Sequence, residues 1–363
     1  MCIRDRPLPS DHPSHSFNES PYLQACRLQQ AEHVPVWFQR QAGRSLPEYR
    51  KIRGNGSILR TIENASLTAE ITMQPIHRYG VDAAILFSDI MVPINAIGFR
   101  IDVVPGVGPT VEHPFRTKED LNRLRPLEPE TDTSYVLEAV RLLTQQLDVP
   151  LIGFAGAPFT VASYLIEGQP SRNHVRTKSL MHSDPILWHR LMERLSDISI
   201  SSMRSQVVAG ASAVQLFDSW AGALGPADYK EHVLPHSRRV FEELADLGVP
   251  RAHFGVGTSE ILSLMSEAGA DVVGADWRVP INEVRRRVGP ETAVQGNLDP
   301  AVCLGDWPAV AKQTRRILME AGGKPGHIFN LGHGVLPETN PEILRQIVDL
   351  VHTEGLDPGP SKP

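Results

Sequence analysis

Short runs of apolar residues recur along the whole chain, and each is followed by a polar or glycine-containing stretch. Eight of these runs have the length and the boundaries of buried strands. They are residues 34–38, 83–87, 151–154, 213–217, 251–254, 271–274, 292–295 and 327–330. Apolar positions with helical spacing lie between them, at 185–208, 226–247, 259–268, 281–288, 308–321 and 341–352. Eight alternating strand and helix units predict an α/β fold, a single closed (β/α)8 TIM barrel.

An open, doubly wound sheet is the alternative arrangement of such units. Its usual Gly-x-Gly-x-x-Gly fingerprint is absent after the first strand. The glycines of 106–108 follow the apolar residues 101–104, but a proline interrupts them, and Gly98 precedes the stretch. We therefore predict a hairpin inserted after the second strand.

The two ends of the chain differ in composition from the rest. Residues 1–20 are rich in Pro, Ser, His and Asp and predict a flexible N-terminal arm, or an artefact of the gene start. Residues 355–363 contain three prolines and predict a loose tail. We assign 21–354 to one barrel domain, since no repeat or linker divides it.

Charge and cysteine content exclude several classes of protein. The net charge of −6 and the absence of a basic stripe argue against nucleic-acid binding, so any anion must be bound by a local cluster. No apolar run approaches the roughly 20 residues of a membrane span. The three cysteines are odd in number and far apart, which favours a reducing cytoplasm over a disulfide framework.

The end of the first predicted strand carries the most distinctive polar residues. Arg40 and Arg44 flank the small residues Ala42 and Gly43, where a ligand can approach the backbone. Each guanidinium offers a planar fork that matches a carboxylate. The stretch predicts an anion receptor; two surface arginines that pair with acids such as Glu48 are the alternative.

Other strand ends carry polar residues as well: Asp89, Asp218, Ser219, His253, Asp276, Asn297 and His333. Several of them are equally well explained as helix caps, and His253 as a core histidine. His333 lies between two glycines and is more readily explained as presented to a ligand. No lysine follows a strand, and no His-x-His or His-x-Cys pair is present. These absences predict no Schiff base, no metal and no cofactor.

Taken together, these residues resemble those of the uroporphyrinogen decarboxylase family. The matching stretches are 40–44 (RQAGR), 46–49 (LPEY), 87–90 (FSDI), 153–160 (GFAGAPFT), 164–168 (YLIEG), 215–220 (QLFDSW), 295–300 (QGNLDP) and 330–334 (NLGHG). They occur in the family's order across residues 20–354. Ser45, where the family usually has tyrosine, and Gln39, where methionine is common, depart from the pattern.

The resemblance implies a homodimeric (β/α)8 barrel with no metal or organic cofactor. Its substrate would be uroporphyrinogen III, whose four acetate arms become methyl groups, giving coproporphyrinogen III and four CO2. The residues expected to bind it are Arg40, Gln41, Ala42, Gly43, Arg44, Arg53, Asp89, Tyr164, Ser219 and His333. Of these, Asp89 and Arg40 are the predicted catalytic residues.

Asp89 is the candidate acceptor for the four pyrrole N–H groups at the centre of the macrocycle. The proton donor stays open among an arginine, a bound water and Tyr164. Two other functions remain possible from the sequence. A methyltransferase of the same superfamily would need a zinc site of His and Cys, and a porphyrin carrier would need the arginines but not Asp89.

Overall fold

The computed structural model describes residues 8–43, 45–53, 57–104 and 107–357. Nine strands lie in these ranges: β1 (Ala84–Ile85), β2 (Ile101–Val104), β3 (Gly108–Val111), β4 (Leu151–Gly156), β5 (Ala213–Phe217), β6 (Arg251–Phe254), β7 (Val272–Gly274), β8 (Ala293–Gln295) and β9 (His327–Ile328). Seven of them form one parallel sheet in the order β1-β4-β5-β6-β7-β8-β9. Each of these seven lies within a predicted apolar run or overlaps most of it.

Sixteen α-helices lie in the same described ranges. They are α1 (Pro21–Cys26), α2 (Pro47–Arg53), α3 (Ile58–Ile62), α4 (Ala65–Tyr79), α5 (Val92–Ala96), α6 (Pro129–Asp132), α7 (Ser134–Thr144), α8 (Pro158–Glu167), α9 (Val175–Ser183), α10 (Pro185–Ala209), α11 (Pro226–His232), α12 (Leu234–Glu242), α13 (Leu262–Glu267), α14 (Ile281–Val288), α15 (Trp307–Ala321) and α16 (Pro341–Glu354). None of these helices combines the length and hydrophobicity that a membrane crossing requires.

Local sequence explains where the longest helix begins and ends. Pro185 occupies the first turn of α10, and the Asp184 carboxylate accepts a hydrogen bond from the Leu187 N–H at 3.0 Å. Gly210 ends the helix with a φ of +127°, which residues with a Cβ rarely adopt. The prediction over 185–208 is thus confirmed. The prediction over 226–247 is wrong as one helix, because α11 and α12 are separated at Val233.

The sheet has seven strands, and the first predicted strand is not among them. Residues 34–38 instead form a single parallel bridge, between Val36 and Phe329. The Val36 carbonyl accepts from the Asp82 N–H at 2.8 Å, beside the other edge of the sheet. The Val36 N–H donates to the Asp82 carboxylate at 2.7 Å instead of to a strand carbonyl, which interrupts a regular ladder.

A separate antiparallel pair lies between β1 and β4 in the chain order. Strands β2 and β3 pair from Ile101 opposite Val111 to Val104 opposite Gly108. Their connection at 105–106 lies outside the described residues. The pair packs beside α8, since the Val111 N–H donates to the Gly168 carbonyl at 2.8 Å.

Part of the predicted N-terminal arm has a defined path. Residues 13–15 form a short 3-10 helix, and His12 Nε2 lies 3.0 Å from the Val208 carbonyl at the end of α10. Residues 1–7 and 358–363, which complete the predicted arm and tail, lie outside the described residues.

A hydrogen-bonded clasp joins the last helix to the start of the fold. The Asp82 carboxylate accepts from His33 Nε2 at 2.7 Å and from His352 Nε2 at 2.8 Å, and α16 supplies His352. Burial would raise the pKa of Asp82, but the two imidazoles and the Val36 N–H outweigh it and lower that pKa. The hydrogen bond to Asp82 raises the pKa of His33, and Glu32 contributes in the same direction.

Asp82→Asn is expected to destabilise the protein by about 2–3 kcal/mol, because it removes charged hydrogen bonds from a buried site. The contribution of Asp82 is present above pH 3.8 and is lost as the pH falls through its lowered pKa. The stability that His33 contributes is present below pH 6.5 and is lost as the pH rises through the raised pKa of His33.

Denaturant unfolding of both proteins from pH 3 to pH 9 checks this prediction. The difference in unfolding free energy should be largest between about pH 4 and pH 6.5. A difference that does not change with pH would show that Asp82 contributes through packing and not through charge.

Candidate active site

Arg40 lies on a tight turn directly after residues 34–38. Its backbone has a φ of +58°, and its side chain is exposed. The turn is held by its neighbour Gln39, whose N–H donates to Asn330 Oδ1 at 3.0 Å and whose carbonyl accepts from the Val335 N–H at 2.8 Å. A non-glycine residue held at positive φ by surrounding contacts is often found at a functional site.

The glycines around His333 allow this loop to approach the arginine closely. A Cβ added at Gly334 would lie 2.5 Å from Arg40 Cδ and 2.8 Å from Arg40 Cγ. The Gly334 N–H donates to His333 Nδ1 at 2.6 Å, and the imidazole is partly exposed. The structure therefore brings Arg40 and His333 together, although 292 residues separate them in the chain.

Gly334→Ala is expected to lower kcat/KM by roughly tenfold to a hundredfold, because the new methyl group must displace the Arg40 side chain. Stability should also fall modestly, since Arg40 Cβ, which the backbone holds, would lie 3.2 Å from the new methyl group and must shift. Gly225→Ala is the matched control: its added Cβ would meet nothing within 4 Å, and neither glycine has a φ in the left-handed range. Steady-state kinetics and thermal unfolding of both variants check this, and equal kinetics in the two variants would contradict it.

Asp89 follows β1 and is partly exposed, with Oδ1 accepting the Met91 N–H at 2.9 Å. Burial raises the pKa of Asp89, while the Met91 N–H and the positive charge of Arg40 act in the opposite direction. Arg40 is thus close enough to Asp89 to stabilise its carboxylate form. On this ground we treat the two predicted catalytic residues as one candidate site.

Tyr164 on α8 belongs to the same site. Burial, and after it the negative charge of Asp89, raises the pKa of Tyr164 to about 12, with Arg40 acting in the opposite direction. The Tyr164 ring lies on Trp220 with 3.8 Å between ring centroids, and His174 packs on Trp220 at 4.7 Å. The phenol therefore keeps its proton at neutral pH and has a fixed position.

Ser219 lies on the turn after β5, and a buried hydrogen-bond chain holds that turn. Thr160 Oγ1 donates to Asp218 Oδ1 at 2.8 Å and accepts from the Trp220 N–H at 3.2 Å. Ser219, between them, is partly exposed. Asp218 is fully buried, and the 3-10 helix after it, Ala221–Ala223, has no side-chain cap. Asp218 therefore supports the Ser219 turn.

The remaining strand-end residues serve the loops or the core. Asp276 accepts from the Gly257 and Arg278 N–H groups, and Asn297 Nδ2 donates to the carbonyls of Asp276 and Val279. His253 is fully buried, as expected of a core histidine, but neither ring nitrogen has a hydrogen-bond partner among the described residues, and Nε2 lies 3.5 Å from Asp218 Oδ2.

Arg53 is connected to the neighbourhood of β1 by two aromatic rings that meet edge to face. Its guanidinium carbon lies 5.8 Å from the centroid of the Tyr49 ring, which meets Phe87 at 5.6 Å. Phe87 lies two residues before Asp89. This packing is compatible with the predicted contact between Arg53 and a substrate.

The structure assigns Gln41 a role that differs from its predicted substrate contact. Its side chain is fully buried, with Oε1 accepting the Phe38 N–H and Nε2 donating to the Ala83 carbonyl, both at 2.9 Å. Gln41 thus fixes the turn that carries Arg40. Ala42 and Gly43 are also buried, and Arg44 lies outside the described residues.

Sequence reasoning missed Trp220, His174 and Gly334 as parts of the site. Trp220 follows a predicted contact residue directly, but its partner Tyr164 is 56 positions away. Only the packing of α8 against the β5 loop shows that the two rings stack.

The chain is similar in sequence to proteins of known name over most of its length. The family model described as "Uroporphyrinogen decarboxylase (URO-D)" matches residues 18–354. A protein named uroporphyrinogen decarboxylase from Salinispora tropica is 58% identical over 335 residues, covering 92% of this chain and 90% of that protein. One of the same name from Streptomyces coelicolor is 58% identical and covers 95% of this chain and 98% of that protein.

Solved structures show a related fold. A methyltransferase from Methanosarcina mazei has a TM-score of 0.77 at 19% identity and covers 91% of this chain and 96% of that chain. A B12-independent methionine synthase from Shewanella sp. W3-18-1 has a TM-score of 0.54 at 12% identity. At these identities the likeness concerns the fold alone.

Proposed function

The chain belongs to the uroporphyrinogen decarboxylase family, and from this premise we propose that Asp89 and Arg40 carry its decarboxylation reaction. The enzyme is a carboxy-lyase of porphyrin biosynthesis. It converts the four acetate side chains of uroporphyrinogen III to methyl groups, releasing coproporphyrinogen III and four CO2. The observation that supports this assignment most is that the Arg40 charge acts on the pKa of Asp89 and that the charges of both residues act on the pKa of Tyr164.

The substrate has two chemically different parts, and the site offers a partner for each. Its rim carries carboxylates, while the chain itself has a net charge of −6, so binding requires local cations. Arg40 supplies one beside His333, and we propose that Arg44 and Arg53 supply others. The centre of the macrocycle presents pyrrole N–H donors, for which the Asp89 carboxylate is the acceptor.

The position of Asp89 would also explain how the enzyme accelerates decarboxylation. Protonation of a pyrrole carbon leaves a cationic ring, and the electrons of the breaking C–C bond return to that ring as CO2 leaves. The exocyclic methylene group that remains then takes up a proton to become the methyl group, and the ring carbon releases the proton that it had gained. A fixed carboxylate beside the developing cation stabilises the transition state more than the ground state. Tyr164, an arginine and a bound water remain the candidate proton donors.

We further propose that residues 34–38 complete an eight-stranded barrel. The Val36 bridge to Phe329 and the hydrogen bond from Asp82 to Val36 support it, since they connect this segment to both edges of the seven-stranded sheet. A homodimer and a cytoplasmic location follow from the resemblance and the cysteine content. Sedimentation analysis of the purified protein tests the dimer.

A methyltransferase is the weaker candidate. Gly255 stands two positions after His253, where a His-x-Cys zinc motif would have cysteine. In the described part of the chain, Cys26 and Cys303 are buried, and neither belongs to a cluster of metal-ligand side chains.

An anaerobic assay with chemically reduced uroporphyrinogen III tests the proposed function. We expect a time course of seven-, six-, five- and four-carboxylate products, resolved by mass, with one CO2 released per step. Tight binding of the substrate without CO2 release would contradict the proposal and favour a carrier.

A further inference from the structure

Four histidines from four consecutive helices meet, and none of them is among the residues proposed for decarboxylation. The ring centroids of His182 on α9 and His232 on α11 are 5.4 Å apart. His189 on α10 lies 6.0 Å from His232 and 5.1 Å from His236 on α12. The Asp228 carboxylate lies 3.8 Å from His182 Nε2. None of these residues follows the end of a strand or takes part in the proposed decarboxylation.

Three of these side chains have the spacing of a metal site. One ligand atom each from His182, Asp228 and His232 lie within 4.8 Å of one another. Zinc bonds of about 2.0–2.1 Å in a tetrahedron require ligand atoms about 3.3 Å apart. The side chains of His182 and Asp228 are 54% and 39% exposed, so small rotations of both would bring their ligand atoms to that spacing.

His232 provides the fixed part of the site. His232 is only 5% exposed, and its backbone carbonyl accepts a hydrogen bond from Trp188 Nε1 at 3.0 Å. Its Nδ1 is buried without a hydrogen-bond partner, which costs free energy and requires an explanation. The nearby carboxylate of Glu231, 4.0 Å from His232 Nε2, adds negative charge that favours a cation.

The neighbouring imidazoles and the other ligand-type cluster are already satisfied. His189 Nδ1 and His236 Nε2 share a hydrogen bond of 2.8 Å. Burial, together with the charges of His189 and Arg239, lowers the pKa of His236 to about 4. In the clasp at Asp82, both histidines already bond to the carboxylate. Neither arrangement leaves a position that calls for an ion.

We propose that His182, Asp228 and His232 bind a divalent transition-metal ion of the zinc class. Two imidazoles and a carboxylate are a ligand set that Zn2+ accepts, with water in the remaining position. The ion would join α9 to α11. None of its three ligands is among the residues proposed for decarboxylation, so that reaction should not depend on the ion.

Titration of the tag-free protein with Zn2+ against a chromophoric chelator tests the site. We expect one Zn2+ per chain, and at least tenfold weaker binding in both His182→Gln and Asp228→Asn, since each removes a ligand. Co2+ should give a tetrahedral absorption band in the wild type that both variants lose. These two side chains are exposed, so the variants should fold.

His113→Gln is the matched control. His113 Nε2 lies 3.6 Å from Glu112 Oε1, an exposed histidine–carboxylate pair that belongs to neither ligand cluster of the described residues. Its Zn2+ affinity should equal that of the wild type. Equal Zn2+ affinity in the wild type, His182→Gln and Asp228→Asn would overturn the proposal. A titration without one Zn2+ per chain would do the same. So would a site that is lost in His352→Gln but kept in His182→Gln and Asp228→Asn.

Discussion

Asp89→Asn is expected to lower kcat by about 100- to 1,000-fold, the usual effect of removing one preorganised electrostatic group from a transition state. The amide keeps the shape of the side chain and can still accept the Met91 N–H, which now bonds to Oδ1 at 2.9 Å. The substitution removes the negative charge and replaces one acceptor oxygen by an NH2 group, which cannot accept from a pyrrole N–H. The stabilisation of the cationic ring should therefore disappear while the fold remains.

Steady-state kinetics of the anaerobic reaction measure this effect. Asp102→Asn is the control, because Asp102 lies exposed on β2 and undergoes the same change of charge. Its kcat should stay within about twofold of the wild type, as is usual for surface substitutions. A kcat for Asp89→Asn in that same range would exclude Asp89 from the chemistry.

Arg40→Lys is expected to lower kcat/KM by roughly 10- to 100-fold, because lysine keeps the charge but loses the two-bond fork that matches a carboxylate. Arg40→Ala should lower it further and should also change the pH dependence. The Arg40 charge lowers the pKa of Asp89 against the effect of burial. Its removal should move the acidic limb of the kcat/KM profile, which reports the free enzyme, to higher pH, whereas lysine should leave that limb nearly in place.

The control for both Arg40 variants is Arg60→Ala, a change at an exposed arginine on α3. It removes the same charge without entering the site, so it should leave the pH profile unchanged. Full activity in Arg40→Lys would show that the guanidinium geometry has no part in binding or catalysis.

Periodicity predicted most of the fold because buried parallel strands are continuous apolar runs. It failed where a side chain replaces a backbone partner. Val36 donates to the Asp82 carboxylate, which leaves residues 34–38 with a bridge in place of a ladder. It also failed at Val233, because Pro235, in the first turn of α12, has no N–H with which to continue the hydrogen bonding of α11.

For the active site, the motifs identified the charged residues but not the direction of every side chain. Arg40 and Asp89 lie close enough for their charges to act on the pKa of Tyr164, and the roles that the resemblance implies for these three residues stay predictions. Gln41 lies in the same motif, yet its amide is turned into the interior to hold the turn. One sequence cannot separate these cases, because both residues are polar and adjacent, and only the backbone turn at Arg40 decides which one faces outward.

The most direct measurement is an anaerobic crystal structure of the enzyme with coproporphyrinogen III bound. The account predicts that the Asp89 carboxylate lies within about 3.2 Å of the pyrrole nitrogens, the upper limit of an N–H···O hydrogen bond. It also predicts that Arg40 contacts a side-chain carboxylate of the macrocycle. A bound macrocycle whose nitrogens face away from Asp89 would contradict the account.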